Sequence, residues 1–419
     1  EYTVKNSSNN YIGSDLLETP FFTEDDAKNG DIISLSFYVP SGSNLASLQL
    51  QALPSSMRNG INGETITINE DKEDRWIRTT VSFDTLETLG AIRLAYTTTN
   101  KAEPATFYVD DVNIVYGAET VETGYISNDE SLCETYADYF KVGTCMSSSM
   151  MRNTTIRKIT KDNFNSITAE NEGKPEQILD QAACQALVKD DPYAVAITTK
   201  PFEKIYSWAE ANHVGVRHHT FVWYSQTPAW FFTKDYTQNG AKADRATMLN
   251  RMQNFIGNTI TAMNERWPGV VYAIDVANEA IENHNYRTNS NNWYSTVGND
   301  FVYWAMKFAS EYKEDYQELY YNDFSFDYDT KNCEFALNTL LKQAIEEGIV
   351  DGVGIQGHLD SNANMENIIT DARMIKEKGL KCQITELDIA ISSNDEDHLN
   401  RQKEAYTKLI QKIITSNEK

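Results

Sequence analysis

The chain has 419 residues, with 37 Lys and Arg against 61 Asp and Glu, a formal net charge of −24 and a pI near 4.7. Such a surface repels nucleic acid and anionic membranes and suits a neutral partner, and no run of about 20 apolar residues is present to cross a bilayer. The length exceeds one ordinary core, so two domains are expected.

Residues 1–117 read as all-β. Ile33, Leu35, Phe37 and Val39 alternate with polar neighbours, as do Ile77, Thr79, Val81 and Phe83, and T-F-Y-V-D-D-V-N-I-V-Y closes the stretch. Period-two alternation between turns such as P-S-G-S and N-G-I-N-G predicts a sandwich of short antiparallel strands. Residues 118–130 are polar and lack periodicity, which predicts a linker.

From 131 to 419 the pattern becomes strand, helix, strand. Seven apolar runs read as buried strands: F-K-V-G-T-C-M, F-N-S-I-T-A-E-N, V-G-V-R-H-H-T-F-V-W, V-V-Y-A-I-D-V-A-N-E, E-L-Y-Y-N-D, V-D-G-V-G-I-Q-G-H and K-C-Q-I-T-E-L-D-I. Helices are expected between them, among them 244–264 and 333–347, the latter stopped at Gly348. Such alternation predicts a parallel sheet, and this many units predicts a (β/α) barrel. In that fold the C-terminal strand ends carry the site. The residues there are Glu170, Asn171, His219, Trp223, Asn278, Glu279, Asn322, Gln356, His358 and Glu386. The five cysteines are scattered without C-x-x-C, and they are expected to be buried free thiols. His218 and His219 are adjacent and should point to opposite sides of a strand, which argues against a metal site in the barrel.

Glu279 and Glu386 each end an apolar strand, and two carboxylates facing one bond are the minimal set for glycoside hydrolysis. With T-A-E-N-E-G-K-P-E, R-H-H-T-F-V-W-Y-S-Q-T-P, D-V-A-N-E-A-I, G-I-Q-G-H-L and I-T-E-L-D-I in order, residues 131–419 resemble glycoside hydrolase family 10. The family consists of retaining endo-β-1,4-xylanases on a (β/α)8 TIM-type barrel. The resemblance implies that Glu279 is the general acid/base and Glu386 the nucleophile. Asn278 would hold the 2-hydroxyl of the sugar being cleaved, and His358, oriented by Asp388, would hold Glu386. Glu170, Asn171, Lys174, His219, Trp223 and Gln226 would line the glycone subsites, with Gln356 at the central sugar. It further implies a secreted, monomeric enzyme that needs no cofactor, with xylan or xylo-oligosaccharides as its partner. A second β-1,4-glycanase specificity and a non-cleaving xylan-binding protein stay open as alternatives. A like charge on Glu386 is expected to favour the protonated form of Glu279.

Three departures from the family pattern stand out. His218 and Tyr224 replace a Gly and a His, and the loss of that imidazole is expected to alter the glycone sites. Gly173 replaces a larger apolar residue, which is expected to loosen packing beside Lys174. After the Glu386 strand there is one amphipathic helix, around Leu399 to Ile414, so seven barrel strands are expected and the family's eighth is not among them.

The front domain resembles a family 22 or family 4 carbohydrate-binding module, a jelly-roll sandwich, on N-N-Y-I-G, D-R-W-I-R-T-T-V-S-F and T-F-Y-V-D-D-V. The resemblance makes Tyr11 the candidate sugar-stacking residue and Asp110 and Asp111 candidates for a structural Ca2+. Ser7, Ala95 and Thr97 stand where binding side chains are usual, so sugar binding and a purely structural role both remain open.

Overall fold

The computed structural model describes residues 2–4, 11–13, 31–54, 60–83, 89–100, 103–115 and 130–416. Of the linker expected at 118–130, residues 118–129 therefore lie outside the described residues. In the front part, strands β1 (Tyr2–Val4), β2 (Tyr11–Gly13), β3 (Asp31–Tyr38), β4 (Leu45–Pro54), β5 (Ile61–Thr67), β6 (Trp76–Phe83), β7 (Leu89–Thr98) and β8 (Ala105–Val115) form two antiparallel sheets, ordered β1-β8-β3-β6 and β2-β7-β4-β5. The alternating Ile33, Leu35 and Phe37 of β3 are fully buried between the sheets, with Leu48, Leu50, Phe83, Leu94 and Phe107. Gly42, in P-S-G-S, has φ +75 and serves the expected turn. N-G-I-N-G departs from its reading as a turn, because Ile61 to Gly63 already pair in β5. Gly63 is there for close approach: a Cβ would lie 2.5 Å from the Thr80 carbonyl oxygen.

All seven predicted buried runs become strands of one parallel sheet: β9 (Gly143–Met146), β10 (Ser166–Ala169), β11 (Gly215–Trp223), β12 (Val271–Asn278), then a hairpin of β13 (Ile281–Glu282) and β14 (Asn285–Tyr286), then β15 (Glu318–Asp323), β16 (Gly352–Ile355) and, past β17 (His358–Asp360), β18 (Lys381–Ile384). The sheet order is β18-β16-β15-β12-β11-β10-β9, and β17 pairs in parallel with β19 (Asp388–Ala390) just beyond it. Helices between the strands bury one face on the sheet. Arg245–Arg266 starts at Asp244, whose carboxylate accepts from the Thr247 N–H at 2.8 Å. The helix expected at 333–347 is instead three pieces, Thr330–Phe335, a π turn Ala336–Leu340 and Lys342–Glu346, ending at Gly348 with φ +67. Glu396–Thr415 buries Ala405 and Leu409, while Leu399 stays exposed. All five cysteines are free, but only Cys184 and Cys333 are buried, and Cys145 on β9 is exposed.

The two parts meet at the outer face of β3 and β6. Arg78 of β6 donates to Ser34 on its own sheet at 2.8 Å, and also to Ser207 in helix Lys200–Ala211. Its Nε lies 3.1 Å from the Glu210 carboxylate, and its Cζ is 5.6 Å from the Trp267 ring centroid.

Candidate active site

Glu279 is the first residue past β12, the central strand of the seven, and takes φ +53, a left-handed conformation that a glutamate adopts only when its surroundings hold it. Its N–H donates to the Asn322 carbonyl at the end of β15, at 2.9 Å. Glu386 follows β18, and its N–H donates to the Gln356 carbonyl at 2.8 Å. Main-chain bonds to the neighbouring strand thus fix where each carboxylate begins.

Amide side chains join the two acids. Gln356 Nε2 donates to Glu279 Oε1 at 3.0 Å and to Asn278 Oδ1 at 3.2 Å. Asn322 Nδ2 donates to the same Asn278 oxygen at 3.0 Å and to Glu386 Oε1 at 2.8 Å. Asn322 is oriented in turn by the Thr385 hydroxyl, which donates to its Oδ1 at 2.6 Å. Trp223 Nε1 donates to the other oxygen of Glu279 at 3.0 Å. Asn278 Nδ2 is left with only a 3.4 Å contact to Glu279, so it is the donor this network keeps available for a ligand.

Glu386 has the charge partners. His358 Nε2 lies 3.3 Å from its Oε2, while His358 Nδ1 is 2.6 Å from Asp388 Oδ2, the pair held side by side by β17 and β19. Hydrogen bonding to Glu386 is the main cause that lifts His358 to about 9, with Asp388 adding to it and desolvation opposing. Burial by itself would raise Glu386; the bond from His358, the charge of His219 and the bond from Asn322 outweigh it and hold the carboxyl below its ordinary value. Behind His358, Asp327 accepts from the N–H groups of Gly357 and His358 at 3.0 and 2.9 Å. Burial lifts Asp327 to about 6.

A second cluster borders the first. Lys174 Nζ donates to Asn171 Oδ1 at 2.9 Å, and Gln226 Nε2 reaches the same oxygen at 3.3 Å. The ammonium lies 5.1 Å from the Trp223 ring centroid. Burial lowers the Lys174 pKa, against the opposing charges of Glu386, Glu170 and Glu279. His219 is buried, its Nδ1 donating to Asp275 at 3.0 Å, and Asp275 is also held by Arg217. Glu170 follows β10 with an exposed side chain. His218 points the other way, into the helix layer, with Nδ1 2.7 Å from the Tyr206 hydroxyl.

One expectation changes. Gly173 does not loosen the packing: a Cβ there would lie 2.7 Å from the His219 carbonyl oxygen and 3.3 Å from the His218 ring, so His218 fills the space that the glycine leaves. The Tyr224 ring covers the guanidinium of Arg287, 4.5 Å from Cζ, and lies edge-on to Trp223 with centroids 6.2 Å apart. Trp230, Phe231 and Phe232 are buried. Asn322 was singled out only by its place at a strand end, and nothing in the sequence pointed to Asp275, Asp327 or Arg287. The side chains of Tyr11 and Asp111 lie outside the described residues. Asp110 is exposed, and no group of three or more His, Cys, Asp or Glu among the described residues is placed to hold a metal ion.

A parallel barrel sheet that sets two carboxylates at the ends of its strands, bridged by amides and flanked by an aromatic ring, defines a glycoside hydrolase. The model of Glycosyl hydrolase family 10 matches residues 131–419, and the chain belongs to that family. It is 37% identical over 276 residues (64% of this chain, 28% of the relative) to the bifunctional endo-1,4-beta-xylanase XylA of Ruminococcus flavefaciens. Against endo-1,4-beta-xylanase Y of Acetivibrio thermocellus the identity is 29% over 376 residues, covering 85% of this chain and 34% of the relative. An exoglucanase, XynX, of the same organism is 26% identical over 366 residues, covering 84% of this chain and 32% of the relative. The chain thus spans less than half the length of these relatives. Among solved structures, the CBM22-1 and GH10 modules of endo-1,4-beta-D-xylanase 10B from Clostridium thermocellum, complexed with xylohexaose, superpose with a TM-score of 0.65 at 24% identity, covering 99% of this chain and 80% of that one. That likeness gives the front sandwich the fold of a carbohydrate-binding module. The intracellular xylanase TsXylA of Thermoanaerobacterium saccharolyticum gives a TM-score of 0.61 at 25% identity, covering 70% and 86%.

Proposed function

We propose that this chain is an endo-β-1,4-xylanase that cleaves the xylan backbone with retention. The observation that carries this reading is the hydrogen-bonded path from Glu279 through Gln356, Asn278 and Asn322 to Glu386, with an imidazolium on Glu386 alone. In the first step a Glu386 oxygen bonds to the anomeric carbon as the glycosidic C–O bond breaks, and the Glu279 proton goes to the leaving oxygen. In the second, Glu279 as carboxylate takes a proton from water, the water oxygen bonds to the anomeric carbon, and Glu386 departs. Retention requires carboxyl groups about 5–5.5 Å apart. Asn278 Nδ2 is assigned to the 2-hydroxyl of the reacting sugar, and Gln356 to the same sugar. Glu170, Asn171, Lys174, His219, Trp223 and Gln226 are assigned to the glycone side, where Lys174 donates to hydroxyls across the Trp223 ring. Asp388 keeps the His358 ring in register.

Both steps use the chain's own carboxylates, so the reading calls for no cofactor. A neutral polymeric substrate fits the charge of −24 and an enzyme acting outside the cell as a monomer. For Ca2+, the described residues supply only Asp110, and nothing is derived from it. The exoglucanase among the relatives favours a second reading, a β-1,4-glucanase, which turns on room for a hydroxymethyl group on the glycone side. Chromatography of products from xylohexaose and cellohexaose, with Glu386→Ala as control, tests both. Xylobiose and xylotriose from the parent chain alone are expected. Cleavage of cellohexaose in preference makes it a glucanase, and binding without products makes it a non-cleaving xylan-binding protein.

A further inference from the structure

Three groups hold the main chain around Glu279 in its left-handed conformation. The Glu279 N–H is tied to the Asn322 carbonyl, the Ala280 N–H donates to the Tyr321 hydroxyl at 2.9 Å, and the Glu279 carbonyl accepts from Arg287 Nε at 3.0 Å. The third comes from eight residues downstream. The hairpin of β13 and β14, turning at Asn283 and His284 with φ +51 and +60, folds the chain back so that the Arg287 N–H donates to the Ala280 carbonyl at 2.8 Å. The same guanidinium donates through Nη2 to the Ile281 carbonyl at 3.2 Å, and Nη1 lies 3.5 Å from Glu282. It is buried, with the Tyr224 ring 4.5 Å from Cζ and the Phe324 ring 5.7 Å away.

We propose that Arg287, covered by Tyr224, is a positioning residue for the acid step: it fixes the carbonyl of Glu279 and so aims the Glu279 carboxyl at the leaving oxygen. The inference rests on the reading of Glu279 as the acid/base. A planar fork is needed here. It spans two carbonyls two residues apart while presenting a flat face to Tyr224, which a lysine ammonium does not do. Asn322 serves both acids, but Arg287 and Tyr224 act on the Glu279 side, while Glu386 takes its main-chain bond from Gln356 and its side-chain bonds from His358 and Asn322, so loss of Arg287 bears on the acid step.

The separation gives the test. A dinitrophenyl leaving group departs without protonation, whereas the alcohol of a xylan chain requires it. For Arg287→Met, kcat/KM on xylohexaose is expected to fall on the order of 100-fold, the scale of a misplaced general acid. On 2,4-dinitrophenyl β-xylobioside it should fall less than about threefold, while kcat on that substrate drops and is restored by azide, a nucleophile that needs no general base. Tyr224→Leu should show the same pattern more weakly and Tyr224→Phe should not; these two keep the test alive if Arg287→Met does not fold. Equal losses on both substrates, or no loss on xylohexaose, overturn the proposal. Glu279→Ala serves as the reference: if it too shows no dependence on the leaving group, or the parent chain turns over neither substrate, the acid/base reading falls and takes this inference with it.

Discussion

His358 shows how one side chain sets the chemistry of another. It stands between Glu386 and Asp388, and its bond to Glu386 is the largest favourable influence holding that carboxyl ionised. Replacing it with the neutral amide of His358→Gln removes the charge, so the acidic limb of the kcat/KM profile should move up by about one to two pH units. The parent should lose the same support as pH rises through about 9, where the imidazolium deprotonates. An unmoved acidic limb would show that the bond does not tune the nucleophile. The residues of this site were uneven in legibility. Glu279 and Glu386 were readable because each follows a strand-like apolar run, although β18, before Glu386, is only half-buried where β12 is buried. Gly173 was misread, because the side chain that fills its space, His218, is 45 residues away and reaches it only through folding. Arg287 was not readable at all, since its partner is a main-chain carbonyl, which carries no sequence signature.

At the scale of elements, period-two alternation placed the front strands, and continuous apolar runs placed the barrel strands. The helices were less well read: the π turn at Ala336–Leu340 interrupts a pattern that looked like one continuous helix. What no pattern announced was the use of an outward-facing strand residue as a link between two folds. Arg78 sits on the polar face of β6 and would be read as solvent-exposed, yet it is buried against Ser207, Glu210 and Trp267. Burial is the main influence that raises the Glu210 pKa, with Arg78 pulling it down. Arg78→Ala strands that carboxylate and should cost about 2 kcal/mol, the value of a hydrogen bond to a charged group. Scanning calorimetry should then resolve the sandwich melting ahead of the barrel. An unchanged melting profile would mean that the two parts are joined by the rest of their interface.

For the whole molecule, stability should fall as pH rises from about 5 to 8. Burial lifts Asp323 and Asp327 to about 6 and Asp371, beside the Cys333 thiol, to about 8. Each folded pKa lies above the unfolded value near 4. Between the two values the folded state binds more protons than the unfolded state, so the slope of stability against pH is negative. The melting temperature should therefore be higher at pH 5 than at pH 8. Asp371→Asn should reduce that difference by raising the pH 8 value; a parent that melts higher at pH 8 contradicts the argument.

The order of the seven strands also sets Glu279 and Glu386 apart. Glu279 leaves β12, which has strands on both sides, whereas Glu386 leaves β18, which among the described residues pairs with β16 alone within the sheet. Among the described residues the outer edges of β18 and β9 have no partner strand, and local unfolding at such an edge costs less than in the middle of the sheet. In native-state hydrogen exchange, the amides of β18 and β9 should trade with solvent well before those of β12. The proposed acid/base then stands on a strand held from both sides and the proposed nucleophile on an edge strand, so a ligand or added strand seated on β18 and β9 should slow exchange beneath Glu386 first and leave Glu279 nearly unaffected.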